Sequence, residues 1–312
     1  MTATITPSPT TRTGTSSPAR VRRATLIGAT AVLMWATLAL FTTLSGAVPP
    51  FQLAAMAFAV AFLISLVFWK ARGTDVASLL RQPVPVWLLG VGGLFGYHFF
   101  YFMALRNAPA VEAGLIAYLW PLLIVLFSAL LPGERLRWWH MAGALAGLSG
   151  TAVLVTGGNL ADFAFQADYA LGYMMAGLCA LTWSGYSVLS RRVAHVPTDM
   201  IGVFCGVTAI LALMAHMTFE VTVWPQGTVQ WLATLALGLG PVGAAFFTWD
   251  VGVKHGDIRV LGALSYAAPL LSTMLLIVFG AGDLTAAVAW GAVLITGGAV
   301  LASKDMLKRK RA

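Results

Sequence analysis

Charged residues fall in this 312-residue chain at intervals that leave one apolar stretch after another, each roughly 17–23 residues long. A helix needs about 20 such residues to cross the hydrocarbon layer of a membrane. Ten occur in series, at 24–43, 52–69, 86–105, 111–131, 139–157, 170–188, 199–216, 230–250, 258–279 and 285–302. A single stretch could be a buried helix of a soluble protein, but ten cannot. Only 10% of the residues are charged and 59% are hydrophobic, whereas a soluble domain keeps about a quarter of its residues charged. The chain therefore reads as an all-α polytopic membrane protein with ten transmembrane helices. The connections are too short to hold a folded soluble domain.

Lys and Arg set the orientation. With the N-terminus inside, 18 of the 19 basic residues fall on the inner side and only Arg106 on the other. That alternation is what the positive-inside rule demands, and it predicts cytoplasmic termini at both ends of an even number of spans. The net charge of +8 then has an origin in topology and calls for no nucleic acid. The basic end at 303–312 reads as an anchor against anionic lipid. Residues 1–23 open with a Ser/Thr/Pro tract that cannot build a core, and read as a disordered cytoplasmic tail.

The chain also repeats itself. A shift of 148 residues aligns Trp35 with Trp183, Val48-Pro49 with Val196-Pro197, Tyr118 with Tyr266, Pro121 with Pro269, Gly143 with Gly291 and Gly150 with Gly298. Near GYHFFYF (96–102) and GAAFFTW (243–249) the offset slips to 147. Matched proline, tryptophan and tyrosine across several spans indicate duplication, giving repeats at 24–157 and 170–302. Five spans per copy is an odd number, so the second copy enters the membrane from the opposite side. An inverted pair of five-helix bundles is the basis of alternating access, with cargo held near the midplane. Pro121 and Pro269 lie near the middle of spans four and nine. Each removes a backbone hydrogen bond that lipid cannot replace, which marks a hinge or a cavity wall. Close helix contacts are expected at Gly92/Gly96 and Gly143/Gly147.

Polar and aromatic residues inside the spans suggest where a pathway runs. His98 is an ionisable group well inside span three, and Tyr97 and Tyr101 share one helix face. Span four adds Tyr118 and Trp120; the second half adds Trp183, Tyr186, Trp249 and Tyr266. Each is a candidate substrate contact, with aromatic packing as the competing role. Asp250 is a possible coupling carboxylate, since an acid in hydrocarbon must be paired or protonated; it lies close to a span end. Trp35 and Trp183 either wall a central cavity or pack the bundles together. Gln52 is placed near the outer surface, where it can be wet. An aromatic cavity with few fixed charges favours a ligand with a flat apolar part and offers too few cations for phosphate esters.

Other chemistry is missing from the pattern. There is no GxxxxGK[ST] and no HExxH. The five histidines are scattered, and Cys179 and Cys205 read as small apolar filler. No catalytic residue, metal or cofactor is expected, and the chain does not read as an enzyme. Little surface outside the membrane is left for protein partners, so the expected partners are a small-molecule substrate and lipid, with a monomer as the working unit.

WATLALF (35–41), VPP (48–50), ALRNAPAVEAGLIAYLWPLL (104–123) and GERL (133–136) before GxxxG (143–147) together resemble the EamA-like ten-span exporters of the drug/metabolite transporter superfamily. The resemblance covers about residues 24–302. It implies a basket-like bundle in the bacterial inner membrane, with spans three, four, eight and nine around the cavity. It also implies export of phenylalanine, tyrosine and tryptophan, with threonine and methionine, or cationic drugs such as methyl viologen, as further cargo in the family. Tyr97, His98, Tyr101, Tyr118, Trp249 and Tyr266 become the central cargo contacts on this basis. A broad-specificity transporter of the same fold and a channel-like pore are the alternatives, and proton antiport and facilitated diffusion both stay open.

Overall fold

The computed structural model describes residues 17–132, 134–159, 166–279 and 283–305. The tail expected over 1–16, Gly133 of the GERL motif and the basic end 306–312 lie outside the described residues. Every apolar stretch is helical. The first holds α1 (Pro18–Ala36) and α2 (Leu38–Leu44), and the second α3 (Pro50–Arg72). After a short α4 (Val76–Leu80), the third is α5 (Val84–Asn107) and the fourth is split into α6 (Ala110–Ala117) and α7 (Trp120–Ser128). Then come α8 (Trp138–Val155), α9 (Ala170–Ser190) and α10 (Met200–Phe219). The eighth holds α11 (Gly227–Leu239) and α12 (Ala245–His255), joined by a π-helical turn at Gly240–Ala244. The ninth is split into α13 (Ile258–Leu264) and α14 (Ala267–Val278), and the last is α15 (Ala286–Ala302). The first helix starts at Pro18 with Ser17 as its N-cap, so 18–23 is helix, which corrects the tail expected there.

Among the described residues, seven helical stretches are long and apolar enough to cross a membrane, and α15 is a shorter apolar helix. Glycine and polar residues dilute α8 and α9, which trade apolar surface for close packing. The chain is a multi-pass membrane bundle.

Four stretches are interrupted, and the breaks have identifiable causes. Spans four and nine break just before Pro121 and Pro269, where the ring denies an N–H to the helix. In the eighth, Pro241 sits in the π turn, a bulge of the kind that kinks helices. The first breaks at Thr37 with no proline nearby; its hydroxyl is turned back to the Met34 carbonyl at 2.7 Å, a contact that bends helices.

Glycine sets how closely the helices approach. A methyl on Gly28 of α1 would stand 2.7 Å from the Gly252 Cα of α12. One on Gly143 of α8 would stand 2.5 Å from the Gly298 carbonyl of α15. Gly90 and Gly93 of α5 leave room for the rings of Phe204 and Tyr186. Gly92, by contrast, faces open space and Gly96 makes ordinary contacts. The close contact expected at Gly92/Gly96 is thus on another face of α5, two to three residues earlier, where Gly90 and Gly93 carry it.

Candidate functional site

A cavity of about 530 Å³ lies in the middle of the bundle. The helices around it are those the breaks interrupt, α1–α2, α6–α7, α11–α12 and α14, together with α3, α5 and α9. Its rim carries the exposed Thr42, Thr43 and Pro50, and its deep end the buried Trp120, Trp183 and Phe246. The cavity is open toward the loops that follow α2 and precede α3 and is closed at the opposite end.

Three tryptophans, Trp35, Trp120 and Trp183, form the floor, with Trp249 packed beneath them. Trp35 touches Trp120, Trp183 and Trp249 at ring separations of 6.1, 5.7 and 5.0 Å. Trp120 meets Trp183 at 6.4 Å and Trp249 at 6.1 Å, and Trp183 lies 6.3 Å from Trp249. Apart from the near-parallel Trp183–Trp249 pair, these are edge-on and tilted contacts, which satisfy the ring quadrupoles better than face-to-face stacking. Buried indole N–H groups need acceptors: Trp35 donates to the Pro241 carbonyl at 3.1 Å, and Trp249 to Ser187 Oγ at 3.1 Å. The π turn at Pro241 therefore helps to hold Trp35 in place.

The wall is aromatic and uncharged. Tyr97 and Tyr101 stack in parallel with centroids 6.2 Å apart, as i, i+4 neighbours on one face of α5. His98 packs edge-on against the stacked pair Phe58 and Phe246, at 5.0 and 6.1 Å. Its Nδ1 is 2.7 Å from the Leu94 carbonyl. A carbonyl only accepts, so Nδ1 carries the proton, and in the neutral ring Nε2 is an acceptor. Among the described residues, the hydroxyls of Tyr97, Tyr101 and Tyr118 have no protein partner, and all three side chains line the cavity. No Asp, Glu, Lys or Arg among the described residues does so.

The cavity brings together most of the residues singled out in the sequence. Tyr97, His98, Tyr101, Tyr118, Trp120, Trp183 and Pro269 line it. Trp249, Tyr186 and Tyr266 do not, and neither does Pro121. Trp249 supports the floor from below, fully buried. Tyr186 packs behind Trp183 at 5.2 Å, against Gly93. The Tyr266 ring is buried against Gly147. Asp250 is also off the cavity, paired with Lys254 at 2.8 Å and accepting from Thr198 at 2.7 Å. Gln52, expected to be wet, is buried, and its Oε1 accepts from the Val223 N–H at 3.0 Å.

Two ionic clusters at the ends of the bundle were missed in the sequence. At the closed end Glu134 pairs with both Arg191 (3.1 Å) and Arg259 (3.3 Å). Arg259 also pairs with Asp257 at 2.9 Å, and Arg191 donates to the Gly256 carbonyl at 2.8 Å. Burial pushes the Asp257 carboxyl up, but the Arg259 guanidinium bonded to it outweighs that and holds it below the usual carboxylate range. At the open end the Glu220 carboxylate accepts from the Phe51 and Gln52 N–H groups at 2.9 and 3.1 Å, at the start of α3, and from His216 Nδ1 at 2.9 Å. A carboxylate at a helix N-terminus complements its dipole. His216 is four positions from Glu220, a spacing readable in the chain, but the partners of Glu134 and the α3 end that Glu220 caps lie about 60 to 170 positions away, which no local pattern announces.

A membrane-spanning bundle around a blind, aromatic-walled cavity, sealed at one end by rings and ion pairs, is the architecture of a small-molecule transporter. The chain belongs to the EamA-like transporter family, which it matches twice, over residues 22–156 and 170–304. It is 58% identical to the aromatic amino acid exporter YddG of Ancylobacter novellus, across 90% of this chain and 96% of that one. It is 28% identical to the aromatic amino acid exporter YddG of Salmonella typhimurium, with the same shares covered. A crystal structure of a protein 56% identical superposes with a TM-score of 0.85, covering 90% of this chain and 97% of the other.

Proposed function

We propose that this protein exports aromatic amino acids across the bacterial inner membrane by alternating access, and that the central cavity holds the cargo. The observation that carries the reading is the cavity itself. About 530 Å³ falls within the usual range for small-ligand sites, and its aromatic wall suits a flat side chain. His98 Nε2 accepts from the cargo ammonium, and the free hydroxyls of Tyr97, Tyr101 and Tyr118 donate to its carboxylate. A zwitterion carries no net charge, so it needs no fixed counter-ion in the membrane, and the wall provides none. The named activity of the 58%-identical relative supports the same cargo.

The topology that goes with it is ten spans in two inverted repeats at 24–157 and 170–302, with both termini cytoplasmic and a monomer as the working unit. Two observations support it. The family match falls once on each half. The packing of α1 on α12 recurs as α9 on α5, as a two-fold axis exchanging span one with span six and span eight with span three requires. On this orientation the cavity is open outward, and the tryptophan floor with the Glu134 cluster seals the cytoplasmic end. A continuous pore is disfavoured by that floor, whose rings are in mutual contact.

Counterflow of radiolabelled phenylalanine, tyrosine and tryptophan into proteoliposomes, with and without a pH gradient, tests the reading. Saturable exchange among these three, with no competition from methyl viologen, is the expected result. Flux that does not saturate points to a pore, and competition by methyl viologen to a broad-specificity transporter.

A further inference from the structure

At the break between α6 and α7 the ordinary bond from the Leu122 N–H to the Tyr118 carbonyl is replaced. The Leu122 N–H donates instead to the hydroxyl oxygen of Tyr266 at 3.2 Å, and that hydroxyl donates to the Tyr118 carbonyl at 3.1 Å. One phenol from the other half of the chain is spliced into the helix where two backbone groups have parted. Helical bonding resumes beyond it, with the Leu123 N–H on the Leu119 carbonyl at 2.9 Å. The two residues whose directions this break sets, Tyr118 and Trp120, line the cavity, while the Tyr266 ring is buried away from it. We infer that Tyr266 is a positioning residue, whose hydroxyl holds the fourth span open at its break so that Tyr118 and Trp120 present themselves to the cargo. This deepens the transport reading and rests on the cavity being the cargo site.

The slot that receives the ring supports a dedicated role. A methyl on Gly147 would stand 2.5 Å from Tyr266 Cδ2, so only glycine leaves the ring its place. In the repeat, the counterpart of Tyr266 is Tyr118 and the counterpart of Gly147 is Ile295. An isoleucine offers no such slot, so Tyr118 is free to line the cavity while Tyr266 is committed to the break. Removing the hydroxyl leaves the Leu122 N–H and the Tyr118 carbonyl either orphaned in a dry interior or rejoined to each other. Either outcome redirects Tyr118 and Trp120.

The test is phenylalanine counterflow by the full chain carrying Tyr266→Phe, Tyr266→p-aminophenylalanine or Gly147→Ala. Tyr266→Phe is expected to raise KM at least threefold while turnover at saturation stays within twofold. The p-amino group, which both donates and accepts, is expected to restore KM. Gly147→Ala, which displaces the ring and keeps the hydroxyl, is expected to raise KM as well, and it decides the matter if Tyr266→Phe does not insert. A KM within twofold of wild type overturns the inference, since a purely structural role alters the amount of folded protein and not KM. If wild type shows no phenylalanine counterflow, it is the transport reading that fails. The labelling rate of Tyr118→Cys by a methanethiosulfonate reagent, with tyrosine or phenylalanine at 266, then decides: a fivefold change supports positioning, and an unchanged rate overturns it.

Discussion

His98 shows how much one hydrogen bond decides. The ring is anchored through Nδ1 to the Leu94 carbonyl, which leaves a single acceptor, Nε2, for a ligand. A hydrogen bond to a charged group is worth about 1.5–3 kcal/mol, or roughly ten- to hundredfold in affinity. His98→Ala is therefore expected to raise the half-saturation concentration for phenylalanine counterflow by at least about tenfold with membrane insertion unchanged. Ser187 has a structural counterpart of this role: its hydroxyl takes the only N–H of the buried Trp249 ring. Ser187→Ala orphans that donor and is expected to cost about 1–3 kcal/mol, read as a lower Tm in detergent.

The helices depend on small residues at particular positions rather than on small residues in general. Gly28 faces the Gly252 backbone, and Gly143 faces the Gly298 carbonyl and Ala302; backbone cannot rotate out of the way as a side chain can. Gly28→Ala and Gly143→Ala are each expected to destabilise by about 1–3 kcal/mol through overpacking. Gly92→Ala, which meets nothing within 4 Å, is expected to leave stability nearly unchanged. Thermal unfolding of the three variants side by side checks the contrast. If Gly92→Ala proved as damaging as the others, the packing of α5 described above would be wrong.

Across the whole bundle, closure at one end is divided between rings and ions. Glu134 bridges Arg191 and Arg259, joining the loop before α8 to the end of α9 and the start of α13. Glu134→Gln removes both charge pairs, and at about 0.5–1 kcal/mol per partly exposed ion pair it is expected to raise access from the closed end about fivefold or more. Labelling of Trp183→Cys by an impermeant thiol reagent from each side of sealed vesicles reports it. Asp257 adds a part that does not respond to mild acid. Because its folded carboxyl lies below the ordinary value, its contribution is complete above that value and is lost only as the pH falls through the lowered one. Labelling from the closed end is therefore expected to be flat between about pH 6 and 8 as far as Asp257 is concerned.

The order and length of the apolar stretches, the doubled proline and tyrosine and the uncharged aromatic content were legible in the chain, because crossing a membrane imposes length and composition on each segment separately. The breaks before Pro121 and Pro269 were legible for the same reason: a missing N–H is a property of one residue. Which aromatic faces the cavity was not. Tyr118 and Tyr266 sit in the same local context, yet one lines the cavity and the other is folded into the opposite helix, and the difference is a glycine at 147 where the repeat has Ile295. The register of α5, the burial of Trp249 and the pairing of Glu134 and Glu220 likewise depend on partners distant in sequence. Composition and spacing settle what a segment must do in the membrane. Only packing between segments settles which of its faces meets lipid, a neighbouring helix or the cavity.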